Sequence, residues 1–338
     1  MKTFIKAILF STLFSTQTIA DTYQDILLSY NNGNFTKTFE MASEIAKKDD
    51  PRGQFILGVL YEKGQGVEHS YPQALLWYKK AANQGHEKAQ LNLGIYYEHG
   101  YGTEQNYTKA FNWFKTAAEQ GLALSEQKMG EMYEKGLGTE QSYAKAYQWY
   151  TKAANKGQAE AQHNLGVIYQ KGLGVKQNYF EAFKWYNLAA TNDFAPSQHN
   201  LGFMFQKGMG TNQSYSEAFK WYKKAAQQQD TLSQYNLGYM YFSGQGIEKN
   251  YRKSLKWYKK AANQNYYPAQ LSLGKMHEEG WGTTKSYLNA YVWYKISQRN
   301  GARKALLFIS LIVPHMTIKE IKEAEQKATL WEQNNIDP

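Results

Sequence analysis

A period of 36 residues constrains this chain more than any other feature. A Leu-Gly pair recurs at this spacing, a Gly-x-Gly begins six residues after its glycine, and a Trp-aromatic pair follows in turn. The first residues of the Leu-Gly pairs are Leu57, Leu93, Leu165, Leu201, Leu237 and Leu273, and Met129-Gly130 fills the remaining place. A fixed period of this length is typical of arrays of stacked helices, in which each unit needs its neighbours to bury its apolar face.

Each period predicts two helices separated by a glycine-containing loop. In residues 87–122, Ala89, Leu93 and Tyr97 are spaced four apart and predict a first helix, helix A. The loop glycines allow positive φ angles. Asn106 then stands where a helix N-cap belongs, and the same register holds Ser or Asn in all seven periods. We therefore expect a second helix, helix B, to start directly after this residue.

Two recurrent residue types make predictions about packing. Gly94 lies within helix A, where glycine costs about 1 kcal/mol relative to alanine. Its recurrence predicts that another helix approaches too closely there for a side chain. On helix B, Trp113 and Phe114 follow Ala110 at helical spacing, and we expect the Trp column to form the core.

Helix B is expected to end at a glycine in most periods. Gly85, Gly121, Gly157 and Gly301 occupy this C-terminal position. In the fourth to sixth periods the position holds Asp193, Gln229 and Asn265, and we expect these three turns to be less tight.

These residues resemble the Sel1-like repeat. The pattern reads Ala89, Leu93-Gly94, Tyr97, Gly100-x-Gly102, Tyr107, Ala110, Trp113-Phe114, Ala117-Ala118 and Gly121, and copies of it cover residues 51–302. The resemblance implies an all-α fold, a right-handed α/α superhelix (solenoid) of antiparallel helix pairs related to tetratricopeptide arrays. In such superhelices the A helices line the concave surface. Met129, His277 and Ser297-Gln298 depart from the pattern.

The period divides the chain into segments. Residues 21–50 are expected to form an N-terminal capping helix pair, and residues 303–338 are expected to form C-terminal capping helices. A capping box of Thr317 and Glu320 indicates the start of the last helix. Between them lie seven repeats, numbered 1 to 7: residues 51–86, 87–122, 123–158, 159–194, 195–230, 231–266 and 267–302.

Residues 1–20 are interpreted as a secretory signal peptide. Lys2 and Lys6 precede an apolar core from Ala7 to Phe14, and small residues near Ala20 suit signal peptidase. The apolar core is too short to span a bilayer, and no other segment approaches the required ~18 apolar residues. The prediction is an exported chain, periplasmic or secreted, without a membrane span.

Composition limits the chemistry. The chain has no cysteine, which excludes disulfides, thiolate metal sites and a cysteine nucleophile. Its formal net charge is +10, spread as recurrent lysines after the Trp-aromatic pair. These lysines indicate either a solvated helix face or a basic stripe for an anionic polymer or membrane surface. No nucleic-acid-binding module accompanies them, and no nucleic-acid partner is expected.

Positions that vary between repeats on one face of helix A are the candidate site. The residues three before and one after the Leu-Gly glycine lie four apart and share a face. We call this set the helix-A stripe and interpret it as a groove for a peptide or protein; packing between successive A helices would explain it equally well. Its members are Phe55, Val59, Leu91, Ile95, Gln127, Glu131, His163, Val167, His199, Phe203, Tyr235, Tyr239, Leu271 and Lys275.

Two further features are considered as functional sites: the middle residue of Gly-x-Gly and a pair of histidines. The middle residue of Gly-x-Gly also varies, for example Tyr101 and Trp281, and suits either binding or contact between loops. His163 and His199 occupy equivalent positions one repeat apart, but the spacing between helices, about 8–10 Å, disfavours a shared metal. No catalytic triad order or phosphate-binding loop is present.

The leading functional hypothesis is a non-catalytic, monomeric scaffold for a protein or peptide partner, without cofactor or metal. The Sel1-like resemblance associates exported chains of this kind with the bacterial envelope. An alternative is polyanion or cell-wall glycan binding through the lysine face. A cell-wall or β-lactam hydrolase, an activity suggested for some cysteine-rich relatives, is disfavoured because no placed nucleophile is present.

Overall fold

The computed structural model describes residues 22–336, and all regular secondary structure in this range is helical. The predicted all-α fold of helix pairs is confirmed. The predicted signal peptide, residues 1–20, lies outside the described residues.

Apart from the first helix and the last two, every helix has 12 or 13 residues. The first, α1, spans residues 22–31. The later helices are α2 Phe35–Lys47, α3 Pro51–Lys63, α4 Tyr71–Asn83, α5 Glu87–His99, α6 Tyr107–Glu119, α7 Ala123–Lys135, α8 Tyr143–Asn155, α9 Ala159–Lys171, α10 Tyr179–Thr191, α11 Ala195–Lys207, α12 Tyr215–Gln227, α13 Thr231–Ser243, α14 Tyr251–Ala262, α15 Tyr267–Glu279, α16 Tyr287–Arg299, α17 Ala305–Ile312 and α18 Ile318–Ile336, with a 3₁₀ turn at Val313–His315. Helices A are the odd-numbered α3 to α15, and helices B are the even-numbered α4 to α16.

The chain divides into two compact units, and the boundary in the sequence falls within α9. The described part of the first is residues 22–161, and that of the second is residues 162–336. In the first unit, consecutive helices from α2 to α8 pack in sequence order. In the second unit the same holds from α10 to α17, and α18 packs against α16.

The predicted N-caps set the start of every helix B. Each helix B begins at a tyrosine, and the Ser or Asn before it accepts a hydrogen bond from the backbone N–H three residues on. Asn106 Oδ1, for example, accepts from Lys109 N at 2.9 Å. This bond satisfies an N–H that has no partner within the helix.

The glycine within helix A makes room for an aromatic ring of helix B, as predicted. A Cβ added to Gly130 would collide with the ring of Tyr150, and one added to Gly238 would collide with Tyr258. The same pairing of glycine and ring occurs in all seven repeats. The glycine therefore sets the distance between the two helices of a repeat.

The second loop glycine sets the distance between successive repeats. Gly138 has a φ of +69° and lies against the backbone of Tyr107, the first residue of the preceding helix B. Gly246 meets Tyr215 and Gly282 meets Tyr251 in the same way. A side chain at these positions would collide with backbone atoms, which cannot rotate away.

The prediction of looser turns at Asp193, Gln229 and Asn265 is wrong. All three have positive φ, between 58° and 67°, as do the glycines at this position in the other repeats. The closing hydrogen bond is also the same, because Phe194 N donates to Ala189 O at 3.1 Å just as His86 N donates to Ala81 O. The turn geometry is thus kept although a side chain disfavours it by about 1–2 kcal/mol.

The assignment of the Trp column as the core is also wrong in detail. The tryptophans are half-buried, whereas the aromatic residue after each one is buried, with Tyr78, Tyr150 and Tyr222 at 0% exposure. The aromatic residue that follows the tryptophan faces the helix-A glycine. The tryptophan is the residue directly before it on helix B and therefore points in a different direction. Ammonium groups cover several indoles: Lys80 lies over Trp77, Lys152 over Trp149, Lys224 over Trp221 and Lys260 over Trp257, at 4.0 to 4.5 Å from the ring centroid.

A buried glutamine column joins helix A to the end of helix B. Gln198 Nε2 donates to Ala190 O at 3.2 Å, and its Oε1 accepts from Gln228 Nε2 at 2.9 Å. Repeat 3 changes both partners together, to Glu126 and Lys156, whose charged groups pair at 2.7 Å. The sequence analysis missed this column, although its recurrence every 36 residues was a usable signal.

The C-terminal helices follow the array with the predicted capping box. Thr317 N donates to Glu320 Oε2 at 2.8 Å, and Glu320 N donates to Thr317 Oγ1 at 3.2 Å. Within residues 22–336, no helix combines the length and apolar character needed to cross a membrane.

Candidate functional site

The helix-A stripe is neither uniformly buried nor uniformly exposed. Leu91 and Gln127 are buried, Tyr239 is exposed, and the other eleven members are half-buried. The surroundings of each member decide whether it packs within the fold or is available to a ligand.

In repeats 1 and 2 the stripe packs within the first unit. The ring of Phe55 stacks on His86 with centroids 4.6 Å apart. Leu91 belongs to the unit's buried core, and Val59 and Ile95 pack against it. These four residues therefore support the fold through apolar contact.

In repeat 3 the stripe forms a closed polar network. Gln127 Nε2 donates to Glu131 Oε1 at 3.0 Å and to Glu160 Oε2 at 2.7 Å. Lys128 Nζ pairs with Glu131 at 3.0 Å and with Glu98 at 3.6 Å. Burial opposes protonation of Lys128, but the carboxylates of Glu131 and Glu98 raise its pKa above the usual value. Lys128 is thus the single cation among the carboxylates of Glu98, Glu131 and Glu160, and the network keeps a net negative charge.

The two stripe histidines point at the next helix A. His163 Nδ1 lies 2.8 Å from Ser197 Oγ, and His199 Nδ1 lies 2.9 Å from Ser233 Oγ and 3.4 Å from Asp230 Oδ1. Burial lowers the pKa of His163 to about 4. Among residues 22–336, no group of three or more His, Asp or Glu side chains is arranged to hold a metal ion.

Val167 and Phe203 lie beside these histidines on the same helices. Each packs against a buried tyrosine cluster of the second unit. Leu271, in repeat 7, packs against the cluster formed by α16 and the C-terminal helices. These three side chains therefore contact the fold, as in repeats 1 and 2.

In repeats 6 and 7 the stripe opens into an aromatic pocket. Stripe residues Tyr235, Tyr239 and Lys275 meet Trp281, the variable residue of the last Gly-x-Gly. The cavity has a volume of about 350 Å³ and is also lined by Phe242, Tyr258, Ser272 and Met276. We call it the repeat 6–7 pocket. Its ring-lined wall and few polar groups are typical of a ligand site.

Trp281 is held in place by two other rings. It stacks on Tyr251 with centroids 6.0 Å apart at 18°, and Phe242 meets it edge-on at 5.0 Å and 61°. Tyr101 stacks on Tyr71 in the same way in repeat 2, at 4.9 Å and 12°. The aromatic loop residues therefore contact the preceding helix B.

Phe242 lines the pocket at a position that holds a polar residue in the other repeats. In repeats 3 and 4 the equivalent side chains, Glu134 and Gln170, accept a hydrogen bond at 2.6 Å from the buried tyrosine hydroxyl of the same repeat. In repeat 6 the Tyr258 hydroxyl instead interacts with Ser254 and Ser272. The sequence analysis missed Phe242, which appears as a break in a Glu/Gln column.

Lys275 is the one charged side chain among the residues lining the pocket. Its Nζ lies 2.8 Å from both Glu278 Oε1 and Glu279 Oε1. Burial opposes its charge, but hydrogen bonds to these carboxylates raise the pKa of Lys275. Glu278 Oε2 also accepts a hydrogen bond from the Tyr294 hydroxyl at 2.5 Å. The Glu279 side chain is 38% exposed.

Helix pairs of constant length, spaced by glycines and filled by aromatic rings, define an α-helical repeat protein. The Sel1 repeat family model matches residues 51–86, 87–122, 123–158, 159–194, 195–230, 231–266 and 268–300. The chain belongs to the Sel1 repeat family. Proteins of this family generally mediate protein–protein interactions.

Solved structures of similar proteins agree with this assignment. A protective antigen of uropathogenic Escherichia coli, described as displaying an SLR fold, is 31% identical; the match covers 95% of this chain and 70% of that chain, with a TM-score of 0.81. A Sel1 repeat protein from Oxalobacter formigenes is 35% identical over 71% of this chain and 96% of that chain, with a TM-score of 0.66. A search of curated protein sequences gave no significant match.

Proposed function

We propose that the protein is a non-catalytic scaffold that binds a protein or peptide partner through the helix-A stripe. The repeat 6–7 pocket would be its main anchor point. The observation that carries this proposal is that the stripe opens there into a cavity lined by four tyrosine, tryptophan or phenylalanine rings besides the buried Tyr258. Aromatic side chains in well-packed pockets dominate the binding energy of protein interfaces.

The rest of the stripe supports a more limited role. Phe55 and Leu91 pack within the fold, and Gln127 and Glu131 satisfy one another. A partner gains little from groups that already have their contacts, because it must first break them. The proposed binding surface therefore centres on Tyr235, Tyr239 and Lys275 rather than on all fourteen residues.

Export to the bacterial envelope is part of the proposal. It rests on the signal-peptide pattern of residues 1–20. Cleavage before Asp21, measured by mass spectrometry of protein purified from the native host, would support it. An intact N-terminus in the cytoplasmic fraction would contradict it.

The experiment that tests binding is photocrosslinking in cells from Tyr239, with further probes at His199 and Lys184. Lys184 is an exposed helix-B residue whose ammonium pairs with Glu181 at 2.7 Å. A discrete protein adduct from Tyr239 and none from Lys184 is the expected result. Equal labelling from both positions, or none from Tyr239 and His199, would overturn the proposal.

A polyanion-binding function remains a second candidate, because repeat 6 is strongly basic. It contains six Lys or Arg residues and one acidic residue, a net charge of +5 out of +10 for the chain. Heparin binding that falls steeply between 50 and 200 mM salt, and that survives Tyr239→Ala, would favour this function.

A further inference from the structure

We propose that the repeat 6–7 pocket receives an aromatic side chain from an acidic segment of the partner protein, and that a partner carboxylate takes the position of Glu279 beside Lys275. This inference rests on the proposed function and specifies the chemistry of the partner.

The charge around the pocket selects an acidic partner. Lys275 is the one charged lining residue. Helix α14 supplies Tyr258 to the wall and Tyr251 to the Trp281 stack, and it carries five basic residues and no acidic residue. Lys275 and its two paired carboxylates together carry a net charge of −1, so the positive excess beside the pocket comes from α14. This excess favours an acidic over a basic segment of a partner.

The size and surface of the pocket select an aromatic side chain. The cavity of about 350 Å³ lies between the rings of Tyr235, Phe242 and Trp281. An incoming ring can pack against these rings in offset or edge-on geometry, a contact that gains about 0.5–1.5 kcal/mol beyond buried area. The tyrosine and serine hydroxyls leave the pocket polar enough to accept a tyrosine as well as a phenylalanine.

The two glutamates that hold Lys275 are not equivalent. Glu278 is also bound to the Tyr294 hydroxyl, which fixes its position. Glu279 is bound to Lys275 near the surface, with 38% of its side chain exposed. Exposed ion pairs contribute little to stability, and a partner carboxylate can replace Glu279 while Glu278 stays in place.

The test is fluorescence anisotropy with three labelled peptides and the full chain. The first is acetyl-Gly-Asp-Asp-Phe-Asp-Asp-Gly-amide, the second has Ala in place of Phe, and the third has Lys in place of every Asp. We expect the first peptide to bind at least tenfold more tightly than either of the others at 150 mM salt.

Three protein variants locate the binding. Lys275→Gln should weaken binding of the first peptide about tenfold. Glu279→Gln should strengthen it several-fold, because the competing carboxylate is removed. Lys223→Gln, at an exposed helix-B position, makes the same charge change as Lys275→Gln and should leave affinity within twofold.

Each other outcome overturns this inference. Equal binding of the Phe and Ala peptides, or equal losses in Lys275→Gln and Lys223→Gln, would mean general attraction of anions. Tighter binding of the lysine peptide would reverse the charge preference. If no peptide binds but Tyr239 still crosslinks a discrete partner in cells, this inference fails and the proposed function stands. If that adduct is also absent, the proposed function fails.

Discussion

Repeat 3 and repeats 6–7 use the same scaffold but treat the helix-A stripe in opposite ways. In repeat 3, Gln127 is buried and hydrogen-bonded to Glu131 and Glu160. In repeat 6, the equivalent Tyr235 lines an open cavity, and Tyr239 is 41% exposed. The stripe thus closes on itself in one region and is available in the other.

This difference is possible because residues outside the stripe set the spacing between the two helices of a repeat. The helix-A glycine and the buried tyrosine ring meet in both places, at Gly130 with Tyr150 and at Gly238 with Tyr258. Within such a frame the stripe side chains can change from a polar network to a ring-lined pocket while the helices keep their spacing.

The largest expected effect tests whether the two regions share this frame. Tyr150→Ala and Tyr258→Ala should each lower the free energy of unfolding by about 3–5 kcal/mol, because each removes a buried ring and leaves a cavity. Urea denaturation followed by circular dichroism measures the loss. The matched variants Trp149→Ala and Trp257→Ala, at half-buried positions, should lose less. A much smaller loss for Tyr258→Ala than for Tyr150→Ala would break the comparison.

The next effect concerns a stripe residue that packs between repeats. The folded protein keeps His163 neutral down to about pH 4, whereas an unfolded chain protonates it near pH 6.5. The unfolded state therefore binds more protons between these values, and stability should fall by up to about 3 kcal/mol as pH drops through this window. Denaturation at pH 7 and pH 4.5 measures it. His163→Gln should reduce the pH dependence.

A smaller effect tests the charge exchange in repeat 3. Lys156→Gln removes the cation that pairs with the buried carboxylate of Glu126, and we expect a loss of about 2 kcal/mol. Adding Glu126→Gln recreates the pair of glutamines seen at Gln198 and Gln228 and should restore most of this stability. Thermal denaturation of the single and the double variant measures the two losses of stability. Equal losses in the single and double variants would show that the unpaired Glu126 carboxylate is not the cause of the loss.

The smallest effect on stability separates the two uses of the stripe. Tyr239→Ala should change the free energy of unfolding by no more than about 0.5 kcal/mol, as expected for an exposed position, yet abolish crosslinking from His199 to the partner. Gln127→Ala should do the reverse, with a loss of about 1 kcal/mol and unchanged crosslinking. A Tyr239→Ala protein that keeps its partner would show that the pocket is not the anchor.

The parts of the fold that depend on local backbone chemistry could be predicted from the sequence. The N-cap at Asn106, the positive φ of the loop glycines and the close approach at Gly94 each allow only one or a few residue types at one position. Their recurrence every 36 residues made the predictions firm. The degree of burial of a side chain is harder to predict. Helical spacing indicates on which face of the helix a side chain lies, but not how closely the next helix packs against it. The Trp column was assigned to the core for this reason, although the following aromatic ring is the buried one.

The candidate site could be predicted only in outline. Tyr235, Tyr239 and Lys275 belong to the predicted stripe, and Trp281 to the variable loop position, but sequence spacing did not show that they share one cavity. Phe242 was missed because the Glu/Gln column that it interrupts was itself not recognised in the sequence. The contact of His163 with Ser197 was also not predicted from the sequence, because it joins residues of different repeats.

The backbone contact at the second loop glycine affects how easily the number of repeats can change in evolution. Gly138 meets the main chain at Tyr107, and Gly246 meets it at Tyr215, so the junction does not depend on which side chains the neighbouring repeat carries. Duplication or deletion of a whole 36-residue segment in the gene would join surfaces that already fit. A duplicated segment that spans repeats 6 and 7 would carry a second full set of pocket residues, and recombination could change the number of such pockets without redesign of the scaffold.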